Sequence, residues 1–97
     1  MSAYIVFTRD RMIDRHEMDT YSKEVPATLT GHPVKILALY GTHEDLEGAP
    51  TEGTVILEFP DAQAAKDWYD GPAYKQVREH RFKGADYRVV LIDGIEK

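Results

Sequence analysis

Four short runs read as strands, and the first, third and fourth are apolar on both of their faces, which constrains the chain more than any other feature. The four runs are Ala3–Thr8, Val34–Tyr40, Gly53–Phe59 and Asp86–Asp93. Successive side chains of a strand point to opposite faces, so a sheet with one wet face alternates apolar with polar. Here Ile5 and Phe7 stand on one side of the first run, with Tyr4 and Val6 on the other. Val55, Leu57 and Phe59 oppose Ile56, while Val90 and Ile92 oppose Tyr87, Val89 and Leu91. One face must meet helices of the same chain, and the other must meet something else.

The segments between these runs supply the helices. Asp14 is a good N-cap with Glu17 three residues on, the spacing of a capping box. Met18, Tyr21, Val25 and Leu29 then recur at helical period. Pro26 lies inside that stripe and is expected to kink or divide the helix, and Gly31-His32-Pro33 to stop it. Asp61 caps a second helix that Asp70-Gly71-Pro72 breaks, and Pro72 suits the first turn of a further helix reaching about Arg81. Gly41 to Glu52, between the second and third strands, is a polar, turn-rich loop of the length that more often serves function than mere connection.

The order is strand, helix, strand, strand, helix, strand, a βαββαβ chain of the α+β class forming one domain over residues 1–97. Right-handed crossovers put the helices on one face of a four-stranded antiparallel sheet. With only 97 residues, too little chain remains to cover the other face. The simplest partner is the same sheet face of a second copy, so a homodimer is expected.

The formal net charge of −5, with no run of Lys or Arg, argues against a nucleic-acid partner, whose phosphates need clustered cations. No apolar stretch approaches the ~20 residues of a membrane span, so no membrane partner is expected. Without cysteine there is neither disulfide nor thiolate chemistry. Met1-Ser2-Ala3-Tyr4 runs straight into a strand, with no leader pattern, and a cytoplasmic location is expected. The four histidines, His16, His32, His43 and His80, show no ligand spacing, and no nucleotide-binding glycine motif or nucleophile elbow is present. No metal and no cofactor is expected.

The Leu46-Glu47-Gly48 turn, the run Val55 to Pro60, Ala65, the stretch Trp68-Tyr69-Asp70-Gly71-Pro72-Ala73-Tyr74, Arg81 and Gly94 come in an order that resembles domain-of-unknown-function family 1330. The resemblance covers nearly the whole chain. It implies a ferredoxin-like protomer and the sheet-to-sheet dimer of the dimeric α+β-barrel superfamily. It implies no reaction. Members of that superfamily include cofactor-independent monooxygenases, muconolactone-type isomerases, haem-dependent enzymes and ligand-sensing domains, and fold alone does not choose among them. Many family members resemble Arg-Gly-Gly at the end of the second strand, where this chain has Tyr40-Gly41-Thr42.

Five residues are candidates for a site. Tyr74, Val77 and Arg81 share one helix face, so Arg81 either aims its fork at a carboxylate in a pocket or snorkels to a surface acid. Tyr74 and Tyr69 would bind the same ligand, Tyr69 through its hydroxyl. Tyr40, taken to share a strand face with Val34, Ile36 and Ala38, has a hydroxyl for a ligand or for proton transfer, or serves as a structural phenol. Glu47, beside Gly48 in the long loop, is a candidate general base and a partner for Arg81 in the empty site, or a solvated loop acid. Two functions stay open: a small-molecule enzyme using acid–base or cofactor-independent oxygenase chemistry on an organic acid or phenol, and a binding or regulatory module without turnover.

Overall fold

The structure, a computed structural model, describes residues 1–95. Its elements run β1 (Ala3–Met12), α1 (Arg15–Thr28), β2 (Lys35–Leu39), β3 (Gly53–Phe59), α2 (Ala62–Tyr69), α3 (Pro72–Gly84) and β4 (Ala85–Asp93). The sheet order is β2-β3-β1-β4 with every neighbouring pair antiparallel, so the chain is an α+β ferredoxin-like fold. The second crossover is two helices because Gly71 lets the chain turn sharply between them. A Cβ there would stand 2.6 Å from the Asp67 carbonyl oxygen.

Asp14 and Asp61 act as the N-caps the sequence implies, but the capping box at Asp14 is not closed: the Asp14 N–H donates to the Gly84 carbonyl at 3.0 Å, and the Glu17 carboxylate pairs with His80 at 2.6 Å. The Asp14 carboxylate accepts from the amides of His16 and Glu17, and that of Asp61 from Ala64, satisfying donors that the first turn leaves free. Pro26 does not divide α1, which continues through it to Thr28. Proline still removes one N–H, so the Ser22 carbonyl loses its usual partner four residues on. β1 is longer than its apolar run. Arg9 to Met12 stay paired with β4 past a register shift, aided by Arg88–Asp10 at 2.8 Å and Arg11–Asp86 at 3.2 Å.

Register decides which apolar face is which. Ile5 lies opposite Leu57 and Leu91, and Phe7 opposite Val55 and Val89, on the side the helices cover. Val6, opposite Ile56 and Val90, and Tyr4, opposite Ile92, form the other side. No helix covers that second side, and Val90 and Ile92 are 54% and 55% exposed. The helix-side core centres on Trp68, stacked on Phe59 and on Tyr74 with centroids 5.9 and 4.0 Å away. Its indole N–H donates to the Thr28 hydroxyl at 3.2 Å, which ties α2 to the end of α1. Trp68→Ala is expected to cost about 3–5 kcal/mol through lost burial and the cavity left behind. The exposed Phe82→Ala should cost much less, and urea unfolding of the two variants compares them.

Candidate functional site

Two recesses on the helix side of the sheet are separated by one aromatic wall. The first is a cavity of about 250 Å³ between α1 and the sheet. Its walls are Phe7, Val25, Leu29, Val55, Leu57 and Trp68, with Ile36 and Leu39 at its edge. The hydroxyl-bearing side chains lining it are those of Tyr21, Ser22 and Tyr40. The second is a more open groove of about 380 Å³ between α3 and β4, bordered by Tyr69, Arg81, Phe82, Asp86 and Tyr87.

Between them lies a buried cation. Arg81 is 3% exposed, and no Asp or Glu among the described residues reaches it. Its Nε donates to the Tyr74 hydroxyl and its Nη2 to the Tyr69 hydroxyl, both at 3.3 Å. Ring faces take most of the remaining contact, with the guanidinium carbon 4.9 Å from the Phe82 centroid and 5.1 Å from that of Tyr87. Guanidinium is always charged and only donates. A buried charge without a counter-ion carries a desolvation cost of several kcal/mol, which phenol dipoles and ring quadrupoles only partly offset.

That cation orients the phenols. Tyr74, wholly buried, accepts from Arg81 and lies 2.7 Å from the Tyr21 hydroxyl. Among the described residues the proton of Tyr74 has no acceptor other than Tyr21, and a buried O–H rarely goes unpaired. Either hydroxyl can donate in this pair; donation from Tyr74 to Tyr21 is the direction that pairs the buried Tyr74 proton and leaves the proton of Tyr21 free for the cavity it lines. The line runs Arg81, Tyr74, Tyr21, cavity, each donor polarised by the one behind it.

Tyr40 reaches the same cavity by another route than simple alternation. The register shifts between Ile36 and Ala38, so Ala38 faces Ile56 on the outer side while Leu39 faces Val55 on the helix side. Tyr40 then adopts a left-handed backbone with φ 49°. Its ring lies where a side chain on β3 would be, since a Cβ at Gly53 would stand 2.6 Å from the ring. Its hydroxyl pairs with that of Tyr87 at 2.5 Å, and the Arg9 guanidinium packs over the ring at 5.0 Å.

The five candidate residues are thus distributed rather than pooled. Tyr40 lines the cavity, Tyr69 and Arg81 border the groove, and Tyr74 is sealed between the two. Glu47 is exposed in the long loop, outside both recesses and away from Arg81's hydrogen bonds. That loop is held instead by Asp45, whose carboxylate takes the Thr51 hydroxyl at 2.7 Å. Tyr21 and Tyr87 belong to the network and were hidden in the sequence as members of apolar stripes. A tyrosine inside such a stripe still needs a hydroxyl partner, and that was the available signal. Among the described residues no group of three His, Asp or Glu side chains is placed to hold a metal ion, and no helix is long and apolar enough to cross a membrane.

Sheet order, helical layer and cavity define a ferredoxin-like α+β protein. Residues 2–95 match the family described as domain of unknown function (DUF1330), and the chain belongs to that family. No curated protein matches the sequence. Among solved structures it is similar to RPA0582, a protein of unknown function from Rhodopseudomonas palustris. The two are 15% identical with a TM-score of 0.73, over 99% of this chain and 84% of that one. A dimeric protein of unknown function and ferredoxin-like fold from Bacteroides fragilis is 11% identical, with TM-score 0.67 and 96% of both chains covered. SnoaB, described as a cofactor-independent oxygenase from Streptomyces nogalater, is 9% identical, with TM-score 0.62 over 99% of this chain and 95% of that one.

Burial pushes the Tyr21 and Tyr74 phenols above their ordinary value, and mutual proximity raises Tyr21 further, while Arg81 pulls Tyr74 back in part. Burial and the Tyr87 hydrogen bond raise Tyr40. All three are therefore donors, not bases, at neutral pH. Unfolded phenols release protons as pH passes about 10 while these keep theirs, so stability holds below that pH and falls above it. Tyr21 and Tyr74 should each contribute a slope of up to about 1.4 kcal/mol per pH unit there, the partly exposed Tyr40 less. Urea midpoints between roughly pH 8 and 11 check this, and Tyr21→Phe should flatten the decline.

Proposed function

We propose that this protein binds a small, largely apolar molecule carrying one acidic oxygen, a phenol or an organic acid, in the cavity between α1 and the sheet. The observation that carries the reading is the buried Arg81, with no acid partner among the described residues, behind the phenol line that ends at Tyr21. Such a line lowers the energy of an oxyanion at the cavity's inner end, as preorganised donors do wherever negative charge develops. The apolar walls exclude a ligand charged at both ends.

Among the described residues no carboxylate or imidazole lines the cavity, and the phenols hold their protons, so the site stabilises an anion better than it makes one. This favours binding of an already acidic ligand over general-base catalysis. Cofactor-independent oxygenation of such a ligand is the second reading. It is favoured by the same donor line, because an ionised phenol is the form that gives electrons to dioxygen, and by the likeness in fold to a protein described as a cofactor-independent oxygenase. Glu47 enters either reading only if its loop moves toward the cavity.

1-Naphthol tests the proposal, because its naphtholate absorbs and fluoresces apart from the neutral form. Bound to the wild type, its ionisation should shift to lower pH. Tyr21→Phe should weaken naphtholate binding by about tenfold or more, the weight of one hydrogen bond to a charged group, and abolish the shift. Unchanged ionisation on binding to the wild type would remove the reading.

The outer sheet face completes the proposal. Val6, Ile56, Val90 and Ile92 lie together on it, and the similar Bacteroides fragilis protein is described as dimeric. A homodimer through this face buries them. Light scattering should return about twice the 11.1 kDa chain mass. Val90→Glu should yield a folded monomer, whereas Ile5→Glu, on the helix side, should unfold the chain. A wild-type monomer in that measurement refutes the interface.

A further inference from the structure

The cavity does not touch Arg81, and the groove does. Arg81 borders the groove between α3 and β4, so of these two recesses the groove is the one from which a ligand meets it. Two of the three guanidinium nitrogens are taken, Nε by Tyr74 and Nη2 by Tyr69. The third, Nη1, has no hydrogen-bond partner among the described residues, and it is not among the sealed polar atoms of the protein. The hydroxyl of Tyr69 spends its acceptor on Arg81 and keeps its own proton for another group. Two donors therefore stand side by side at the edge of a buried, uncompensated cation.

We propose that this groove is a binding site for a small carboxylate, held by Arg81 Nη1 and the Tyr69 hydroxyl. It is a recess separate from the cavity, and the inference goes beyond the function assigned to that cavity. The ligand class follows from what surrounds the guanidinium. Phe82 and Tyr87 pack against it, which leaves its edge as the approach, and in-plane contact at the edge is how guanidinium meets a carboxylate. Asp86 stands on the groove's border with its charge shared with Arg11 at 3.2 Å. That residual negative charge disfavours a phosphate dianion, so a single-charged acid fits best. The charge of such an acid supplies the counter-ion that the fold withholds from Arg81.

Acetate is the probe, since it is too polar for the apolar cavity. Its titration is followed by NMR at constant ionic strength, with chloride as the control and phosphate as a second arm. Expected are saturable shifts of the Arg81 Nε–H and of the Tyr69, Asp86 and Tyr87 amides, with phosphate weaker than acetate. Tyr69→Phe, which keeps the ring beneath the Arg78 guanidinium, should weaken acetate by roughly tenfold. Arg81→Lys should abolish saturation because a point charge does not reproduce the fork. Should that variant fail to fold, Tyr69→Phe decides alone. Shifts equal to those of chloride, or a Tyr69→Phe protein that binds acetate as the wild type does, overturn the site. Naphthol binding and its dependence on Tyr21 stand or fall separately, which keeps this result distinct from the function of the cavity.

Discussion

A guanidinium buried with no carboxylate partner among the described residues is the constraint on which the helix side of this molecule depends. Arg81 cannot shed its proton, and the interior offers it phenol oxygens and ring faces in place of an anion. Each of those groups is fixed in turn. Tyr74 is stacked on Trp68 and hydrogen-bonded to Tyr21, while Tyr69 lies beneath Arg78. The cation thus joins three elements, α3, α2 and α1, through the phenols it donates to and their hydrogen-bond partner.

The sheet solves a different problem with the same residue types. Its two faces are chemically alike, and only register tells them apart. Pairing of Ile5 with Leu57 and Leu91 sends one set beneath the helices, and pairing of Val6 with Ile56 and Val90 sends the other outward. The long-range character of these pairings makes β1, at the centre of the sheet, the element that everything else is measured against.

The architecture was legible because local signals agreed with it: caps at Asp14 and Asp61, a break at Gly71-Pro72, and period-two runs for the strands. What escaped was non-local. Pro26 removes one N–H bond from α1, yet the helix runs on for two residues and ends at Thr28. The polar end of β1 became strand through cross-strand ion pairs that no single run of sequence displays. At the site, Tyr74 and Arg81 were found from helical spacing, and their contact is seen at 3.3 Å. That Tyr40 lines a different recess from Arg81 and meets it only through Tyr87 was not readable, since it depends on where Trp68, Tyr74 and Tyr87 pack. The bulge in β2 likewise cannot be counted from residue alternation, although it is what carries Leu39 and Tyr40 to the helix side.

The cavity's outer phenol exists because the neighbouring strand has nothing at one position. Tyr40 occupies the space above Gly53, and any side chain at 53 would collide with its ring. For descent with modification, the two positions behave as a single character. A lineage that replaces Gly53 must first lose or move the aromatic ring at 40. One that trades Tyr40 for a smaller residue releases Gly53 to drift. A chain with a smaller residue at position 40 would be freed, thirteen residues further on, from a restriction that the Tyr40 ring imposes here.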